Sequence, residues 1–146
     1  MRIKSLGHVV LKVSNLERSI AFYRDTLCMK EVARHRDAMA FFTLGDNHHD
    51  LGLMQLGANP PPADPGAVGL YHVAFKVGDS LDELRACKAH LEAHGVGIFG
   101  MSDHGVSQSL YIQDPDGIEI ELYVDADPAI WRDDPGAVLT TRRLQI

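Results

Sequence analysis

Two histidines and one glutamate are the residues of this sequence whose types and placement suit metal chemistry. His8 opens the hexad HVVLKV, and His72 opens the similar hexad HVAFKV in the second half of the chain. Side chains alternate between the two faces of a strand, so each histidine is predicted opposite the apolar residues of its strand. Glu119 and Glu121 both have this placement in a third strand-like segment, and either could supply the carboxylate. Two histidines and a carboxylate that leave coordination positions open form the ligand set of non-haem Fe(II) oxygenases.

The two hexads begin two copies of one pattern. Four of their six positions are identical, and each hexad leads into a capping-box sequence, SNLE or SLDE, followed by helical periodicity. Three strand-like segments then follow each helix. The first copy is predicted to contain a helix over 15–27 and strands near 30–36, 38–44 and 50–56, and the second copy strands near 97–101, 107–113 and 118–124.

The repeated order predicts the fold class and the domain boundaries. We expect an α+β fold in which two tandem βαβββ modules form a curved mixed sheet around a metal-binding cleft, with the helices outside. The predicted parts are module 1 at about 5–56, a proline-rich linker at 57–69, module 2 at about 70–124, one domain over 1–124 that contains both modules, and a C-terminal tail at 125–146.

Composition excludes several classes of protein. The chain has 14 Lys and Arg against 20 Asp and Glu, a formal net charge of −6, and no basic stripe, which argues against nucleic-acid partners. It contains neither a run of about 18 apolar residues nor a secretory signal pattern, so no membrane association is expected. Cys28 and Cys87 match no metal or disulfide spacing. We therefore expect a cytoplasmic protein with reduced thiols.

The double βαβββ pattern, with GH at 7–8, YH at 71–72 and DPDGIEIEL at 114–122, resembles the vicinal oxygen chelate superfamily. That superfamily includes glyoxalase I, extradiol dioxygenases, fosfomycin-resistance proteins, methylmalonyl-CoA epimerase and bleomycin-binding proteins. The resemblance covers residues 1–124, and within the superfamily the chain is most similar to a single-domain type I extradiol dioxygenase. It implies a metal centre held by His8, His72 and Glu121, with Fe(II) as the metal and Mn(II) as the alternative.

Two segments carry the resemblance to the extradiol enzymes. The segment HHDLGL at 48–53 is similar to an extradiol motif whose last histidine is the active-site acid/base, which implies that role for His49. The segment SQSLYIQDP at 107–115 is similar to the one whose tyrosine orients the substrate, which implies that role for Tyr111. In the extradiol segment the tyrosine lies ten residues before the metal-binding glutamate. Tyr111 and Glu121 are ten residues apart, so the resemblance selects Glu121 over Glu119 as the ligand. His104, on a glycine-containing loop, is a further candidate for the catalytic pocket.

The last strand of module 1 shows whether the sequence offers a fourth metal ligand. Glyoxalase I and its relatives resemble each other in having a fourth protein ligand there, usually a glutamate. By alternation His49, Leu51, Leu53 and Gln55 are predicted to share one face of this strand, and none of the last three is a carboxylate. An amide oxygen is a weak ligand for such a metal, so a site with three protein ligands is expected.

The resemblance implies an extradiol ring-cleaving dioxygenase of the catechol 2,3-type. Its partners would be a small aromatic diol and O₂, its role aromatic catabolism, and its assembly a homo-oligomer. Trp131 of the tail is expected to pack on the domain or on a second subunit. Two alternatives stay open: a metal-dependent isomerase or lyase of the glyoxalase or epimerase kind, which needs no O₂, and a metal-free ligand-binding protein of the drug-resistance kind.

Overall fold

The computed structural model describes residues 1–57, 59–61, 64 and 66–146. The predicted order of elements is confirmed in both copies. Residues 58, 62, 63 and 65 of the predicted linker lie outside the described residues. The elements are β1 (Val9–Val13), α1 (Leu16–Ile20) continued by a π-helical turn (Ala21–Thr26), β2 (Lys30–His35), β3 (Met39–Thr43), β4 (Leu51–Gln55), β5 (His72–Gly78), α2 (Leu81–Ala93), β6 (Ile98–Asp103), β7 (Ser107–Gln113), β8 (Glu119–Asp125), α3 (Ala129–Asp133), a 3₁₀ turn (Pro135–Leu139) and β9 (Arg142–Arg143).

The contacts divide the chain into two compact units, Met1–Pro65 and Gly66–Ile146. Each unit builds its own sheet, with the strand order β1-β4-β3-β2 in the first and β5-β8-β7-β6-β9 in the second. The first strand of each module pairs in parallel with the last strand of the same module, and the other neighbours within each module are antiparallel. The mixed α+β class is thus confirmed. Within the described ranges, no helix has the length and apolar character needed to cross a membrane.

In the first unit α1 packs against β4 and β3, on the side of the sheet where the apolar residues of β1 are buried. Leu11 and Val13 are buried, as are Leu16 and Ile20 on the facing side of α1. The helix begins at Leu16 because Asn15 caps it: the side-chain oxygen of Asn15 accepts from the Arg18 backbone N–H at 2.9 Å. The predicted capping box from the serine of SNLE is therefore wrong by one residue, since asparagine is as good a cap as serine.

In the second unit the predicted capping box and strand faces are confirmed. The Ser80 hydroxyl accepts from the Glu83 backbone N–H at 3.3 Å and donates to the Glu83 carboxylate at 2.8 Å. The apolar residues of β8, namely Ile120, Leu122 and Val124, are buried against α2, while its other face carries polar residues. The strand therefore presents its glutamates on the face away from the helix.

The turn at 114–117 fixes how β7 meets β8. The Asp114 carboxylate is almost fully buried, and its Oδ1 accepts the backbone N–H groups of Asp116 at 2.9 Å and Ile118 at 2.8 Å. Gly117 has a φ of +82°, a conformation that glycine adopts without strain. This predicted turn sets the antiparallel register that pairs Tyr111 with Glu121.

The C-terminal tail is part of the second unit. β9 pairs antiparallel with the outer edge of β6, and Leu144 is buried beside it. Trp131, predicted to pack on the domain or on another subunit, is 49% exposed, and the Arg132 guanidinium lies 5.2 Å from its ring centroid. The sequence showed no periodicity here because pairing with a distant strand organises the tail.

Candidate functional site

The carboxylate of Glu121 is held by two hydroxyl groups of the neighbouring strand. Ser109, which is 0% exposed, donates from Oγ to Glu121 Oε1 at 2.6 Å. The Tyr111 hydroxyl lies 3.1 Å from the same oxygen. Both side chains project from the face of β7 that matches the polar face of β8, since Tyr111 pairs with Glu121 and Ser109 with Tyr123. One carboxylate oxygen is therefore fixed, and the other is left for a different partner.

That second oxygen lies beside His72. β5 pairs in parallel with β8 and places His72 opposite Glu119. The distance from His72 Nε2 to Glu121 Oε2 is 3.1 Å, and the distance from His72 Nδ1 to Glu119 Oε1 is 3.4 Å. Nδ1 is buried and has no hydrogen-bond partner among the described residues. The imidazole thus lies between two carboxylates, one at each ring nitrogen.

Tyr111 also connects this cluster to His104 and to the tail. Its hydroxyl is 2.8 Å from His104 Nε2, and His104 Nδ1 is 3.1 Å from the carbonyl oxygen of Thr140. Burial, together with the negative charge of Glu121, raises the pKa of Tyr111 to about 12. A β-carbon at Gly100, the residue opposite Tyr111 on β6, would come within 3.3 Å of the Tyr111 ring. Glycine at that position leaves room for the ring.

The first unit brings three histidines together. His8 lies immediately before β1, and its ring centroid is 4.3 Å from that of His49. His48 Nδ1 and His49 Nδ1 are 2.6 Å apart, and the Phe41 ring lies edge-on to His49 at 5.2 Å. Burial lowers the pKa of His49, and the neighbouring His8 and His48 lower it further. His49 therefore favours its uncharged form at neutral pH.

The loop that carries these histidines is organised by Asp50. Its Oδ2 accepts the Leu44 backbone N–H at 2.7 Å and the Thr43 hydroxyl at 3.2 Å. These bonds, the backbone one first, lower the pKa of Asp50 below its usual 3.8. The amide nitrogen of Asn47 donates to the carbonyl of Gly7 at 3.0 Å, which ties the loop to the residue before His8.

The face predicted for Leu51, Leu53 and Gln55 of β4 is wrong, and the expected site with three protein ligands stays a prediction. The register pairs Leu51, Leu53 and Gln55 of β4 with the β1 residues on the helix side. Gln55 is occupied there: its Oε1 accepts the Leu16 backbone N–H at 2.6 Å, and its Nε2 donates to the carbonyls of Ser14 at 2.7 Å and Leu56 at 2.6 Å. The other face of β4 presents Gly52 and Met54, so it supplies no carboxylate either.

The structure groups the six predicted site residues by unit. His72, Glu121, Tyr111 and His104 form one connected cluster in the second unit, while His8 and His49 adjoin each other in the first. Among the described residues, no three His, Cys, Asp or Glu side chains are grouped so as to hold a metal ion. The role of His8 as a third ligand stays a prediction.

His72 and Glu121 nevertheless fit as two ligands of one metal ion. Two ligand atoms about 2.1 Å from a metal in octahedral geometry lie about 3 Å apart. The observed 3.1 Å between Nε2 and Oε2 matches that separation. An unprotonated ring nitrogen and a carboxylate oxygen repel each other unless a cation, either a proton or a metal ion, lies between them. The pair is therefore a donor set of the kind that non-haem iron sites use.

The second unit also contains a cavity of about 580 Å³, which none of the six predicted site residues lines. It lies between the polar face of the sheet and the tail, and a cavity of this volume suits a small organic ligand. Tyr123 connects the cavity to the Glu121 cluster, since it lines the cavity and pairs with Ser109. The remaining lining residues are Val106, Ser107, Asp125, Trp131, Arg132, Pro135 and Val138.

Sequence reasoning missed the parts played by Ser109, Glu119 and the tail. Ser109 and Glu119 each lie two positions before a predicted site residue, so strand alternation places them on the same face. That signal identified their side of the sheet without showing which atoms they reach. The contribution of Thr140 to His104 had no local signal.

Comparison with known proteins identifies the family of the chain. Residues 5–122 match the family described as the Glyoxalase/Bleomycin resistance protein/Dioxygenase superfamily. The chain belongs to this superfamily. It is 36% identical over 146 residues to catechol-2,3-dioxygenase of Bacillus subtilis (strain 168), covering 97% of this chain and 49% of that protein. It is 34% identical to biphenyl-2,3-diol 1,2-dioxygenase 2 of Rhodococcus globerulus, covering 82% and 62%.

A solved lactoylglutathione lyase is also similar to this member of the superfamily. The crystal structure of the enzyme from Agrobacterium tumefaciens has a TM-score of 0.66 and 27% identity, with 85% of this chain and 96% of that chain covered. By contrast, this chain spans about half to three fifths of the length of the two dioxygenases. The family is thus shown, and its members differ in the reaction they catalyse.

Proposed function

We propose that this protein is a metal-dependent extradiol dioxygenase that cleaves a catechol-type ring with O₂. His72 and Glu121 would hold the metal, with His8 as the predicted third ligand, and Fe(II) would be the metal with Mn(II) as the alternative. When bound, such an ion supplies coordination of the diol and activation of O₂. The observation that supports this proposal best is the phenol of Tyr111, placed 3.1 Å from the carboxylate of one ligand.

Tyr111 would orient a substrate oxygen. Its pKa of about 12 means that the hydroxyl keeps its proton at neutral pH and acts as a donor. Ser109 holds Glu121 Oε1 independently of the phenol. Reorienting the Tyr111 hydroxyl toward a substrate would therefore leave the ligand carboxylate in place. His104, bonded to the same hydroxyl, would steady its position.

His49 would serve as the acid/base. A proton acceptor must be uncharged, and burial beside two other histidines lowers the pKa of His49 and so favours that form. The Asp50 and Asn47 hydrogen bonds fix the loop on which it lies. The place of His49 beside the predicted ligand His8 supports the role that its motif implies.

The cavity beside Tyr123 would receive the ring substituent of the diol. It is walled by Trp131 on the tail side, and an indole offers a broad apolar surface to a planar group. The negative charge of Asp125 at its edge is countered by Lys76, whose ammonium is 2.9 Å away. Arg132 also lines the cavity and adds a positive charge, so the cavity suits an uncharged or a negatively charged substituent on the ring. The predicted homo-oligomeric assembly and cytoplasmic location stay predictions.

The second candidate is an isomerase or lyase of the glyoxalase kind. It is supported by the likeness to the solved lactoylglutathione lyase, with 27% identity and a TM-score of 0.66. The face of β4 away from the helix carries Gly52 and Met54 and offers no carboxylate as an additional ligand, which favours the dioxygenase. Only the dioxygenase requires O₂.

The test is anaerobic loading with Fe(II), followed by oxygen uptake with a panel of catechols and the yellow colour of ring-fission products. We expect one O₂ consumed per product formed. His49→Ala should lower turnover by roughly 10²–10⁴-fold with metal content unchanged, whereas His35→Ala on the exposed strand β2 should behave like the parent. Loaded protein that consumes no oxygen would refute the dioxygenase and favour the isomerase. Protein that binds no metal would favour the ligand-binding alternative.

A further inference from the structure

The carboxylate on the far side of His72 has no role in the site described so far. Glu119 lies opposite His72 in the β5–β8 register, and its Oε1 is 3.4 Å from Nδ1. We propose that Glu119 is a positioning residue that holds the proton on His72 Nδ1 and thereby directs the Nε2 lone pair toward the metal. This inference rests on the proposed metal site and adds a residue to it.

The surroundings of Glu119 leave it available for this contact. Its side chain is 20% exposed, and within the described residues it makes neither a hydrogen bond nor an ion pair with lysine or arginine. His72 Nδ1 is the counterpart, a buried polar atom without a hydrogen-bond partner in the same part of the chain. An unpartnered carboxylate and an unpartnered buried nitrogen therefore lie side by side.

The position of the single proton on an uncharged imidazole explains why the Glu119 carboxylate would bond to His72 Nδ1. An uncharged imidazole carries one proton, so a ring that binds metal through Nε2 must carry it on Nδ1. A buried N–H without an acceptor is unfavourable. A charge-assisted N–H···O bond spans about 2.7–2.9 Å, so a shift of about half an ångström closes the observed gap. Metal-binding histidines commonly donate their other N–H to a carboxylate in this way.

The two glutamates of β8 have separate parts in this arrangement. Glu121 has one oxygen fixed by Ser109 and the other 3.1 Å from Nε2, the nitrogen that would bind metal. Glu119 instead approaches Nδ1. A carboxylate at the nitrogen away from the metal orients the ring and makes it a stronger ligand without ligating.

The test is the dissociation constant for Zn(II), measured by competition with a chromophoric chelator on the full chain. Removing such a partner weakens metal binding by about 10–100-fold, and we expect that loss for Glu119→Ala. Glu119→Gln should lose less, because the amide oxygen still accepts from Nδ1–H. Glu31→Ala is the matched control, since that side chain is 18% exposed and lies in the first unit. Circular dichroism of each variant verifies the fold.

Nitrogen NMR of the Zn(II)-loaded protein gives a second readout. We expect the parent to show His72 with its proton on Nδ1, and the signal of that nitrogen to move in Glu119→Ala. A purely structural role would leave the bound ring unchanged. If Glu119→Gln retains the parent's Nδ1 signal and Zn(II) affinity while Glu119→Ala loses them, the acceptor oxygen of residue 119 is what positions the ring.

Different failures of this test are distinguishable. An unchanged Zn(II) dissociation constant in Glu119→Ala would overturn the proposal. So would loss of metal in Glu119→Gln together with its retention in Glu121→Gln, because Glu119 would then be the ligand. Loaded protein that depends on Glu119 for affinity but consumes no O₂ would support the positioning role and refute the oxygenase. A parent chain that binds no Zn(II) would overturn both.

Discussion

Replacing Gln55 with leucine tests whether that residue supports the fold or binds the metal. The amide joins β4 to the entrance of α1 through three hydrogen bonds of 2.6–2.7 Å to backbone groups of Ser14, Leu16 and Leu56. Leucine has a similar volume and can make none of them. The variant therefore leaves one backbone N–H and two carbonyls without their partner.

The expected loss follows from those bonds. Each intramolecular hydrogen bond contributes about 1 kcal/mol net, so three give a loss of about 3 kcal/mol in the free energy of unfolding. The affinity of the folded protein for Zn(II) should stay at the parent value, because Gln55 lies on the helix side of β4.

Urea unfolding followed by circular dichroism measures the first quantity, and chelator competition measures the second. Gln113→Leu is the control, since Gln113 is exposed at the end of β7 and the change should be within about 0.5 kcal/mol. The reasoning fails if Gln55→Leu unfolds like the control. It also fails if the variant loses metal affinity while remaining folded, because Gln55 would then be a ligand.

Three further predictions concern the two units. Tyr111→Phe removes the donor beside Glu121 and should lower kcat with a catechol by about 10²-fold. The Zn(II) affinity should be retained because Ser109 still holds the carboxylate, and equal losses in kcat and in Zn(II) affinity would refute the orienting role. Asp50 has a folded-state pKa below 3.8, so its stabilisation is complete above about pH 5 and is lost as the pH falls through that lowered pKa; urea unfolding of Asp50→Asn should show a weaker decline over this range, and an unchanged decline would contradict it. Trp131→Ala should raise KM for a catechol with a bulky substituent while kcat and the KM for catechol itself change little, and steady-state oxygen uptake that shows no such difference would exclude the cavity as the substituent site.

The features that the sequence predicted are those encoded locally. The alternation in β8 predicted Glu119 and Glu121 on its polar face, and the turn residues beginning at Asp114 predicted how β7 connects to β8. The repeat likewise placed His72 on the polar face of β5. Short-range periodicity was enough because each of these strands has one apolar and one polar face.

The features it missed depend on pairing between distant segments. His49 lies in the loop before β4 and not in the strand, so alternation counted from it assigned Gln55 to the wrong face. The parity of β4 is set by its pairing with β1, which sequence spacing does not reveal. The choice of Asn15 over the preceding serine as helix cap was a competition between two good capping residues. The tail acquired its order from the edge of β6.

The contact between His104 and Thr140 limits where the phenolic hydrogen of Tyr111 can go. A carbonyl only accepts, so an uncharged His104 carries its hydrogen on Nδ1 toward Thr140 and must accept at Nε2. Tyr111 has one hydrogen and two acceptors within reach, His104 Nε2 at 2.8 Å and Glu121 Oε1 at 3.1 Å. Bonding to one therefore excludes the other. The backbone carbonyl of Thr140 in the C-terminal tail thus makes His104 a second acceptor, which competes with Glu121 for the hydroxyl hydrogen of Tyr111.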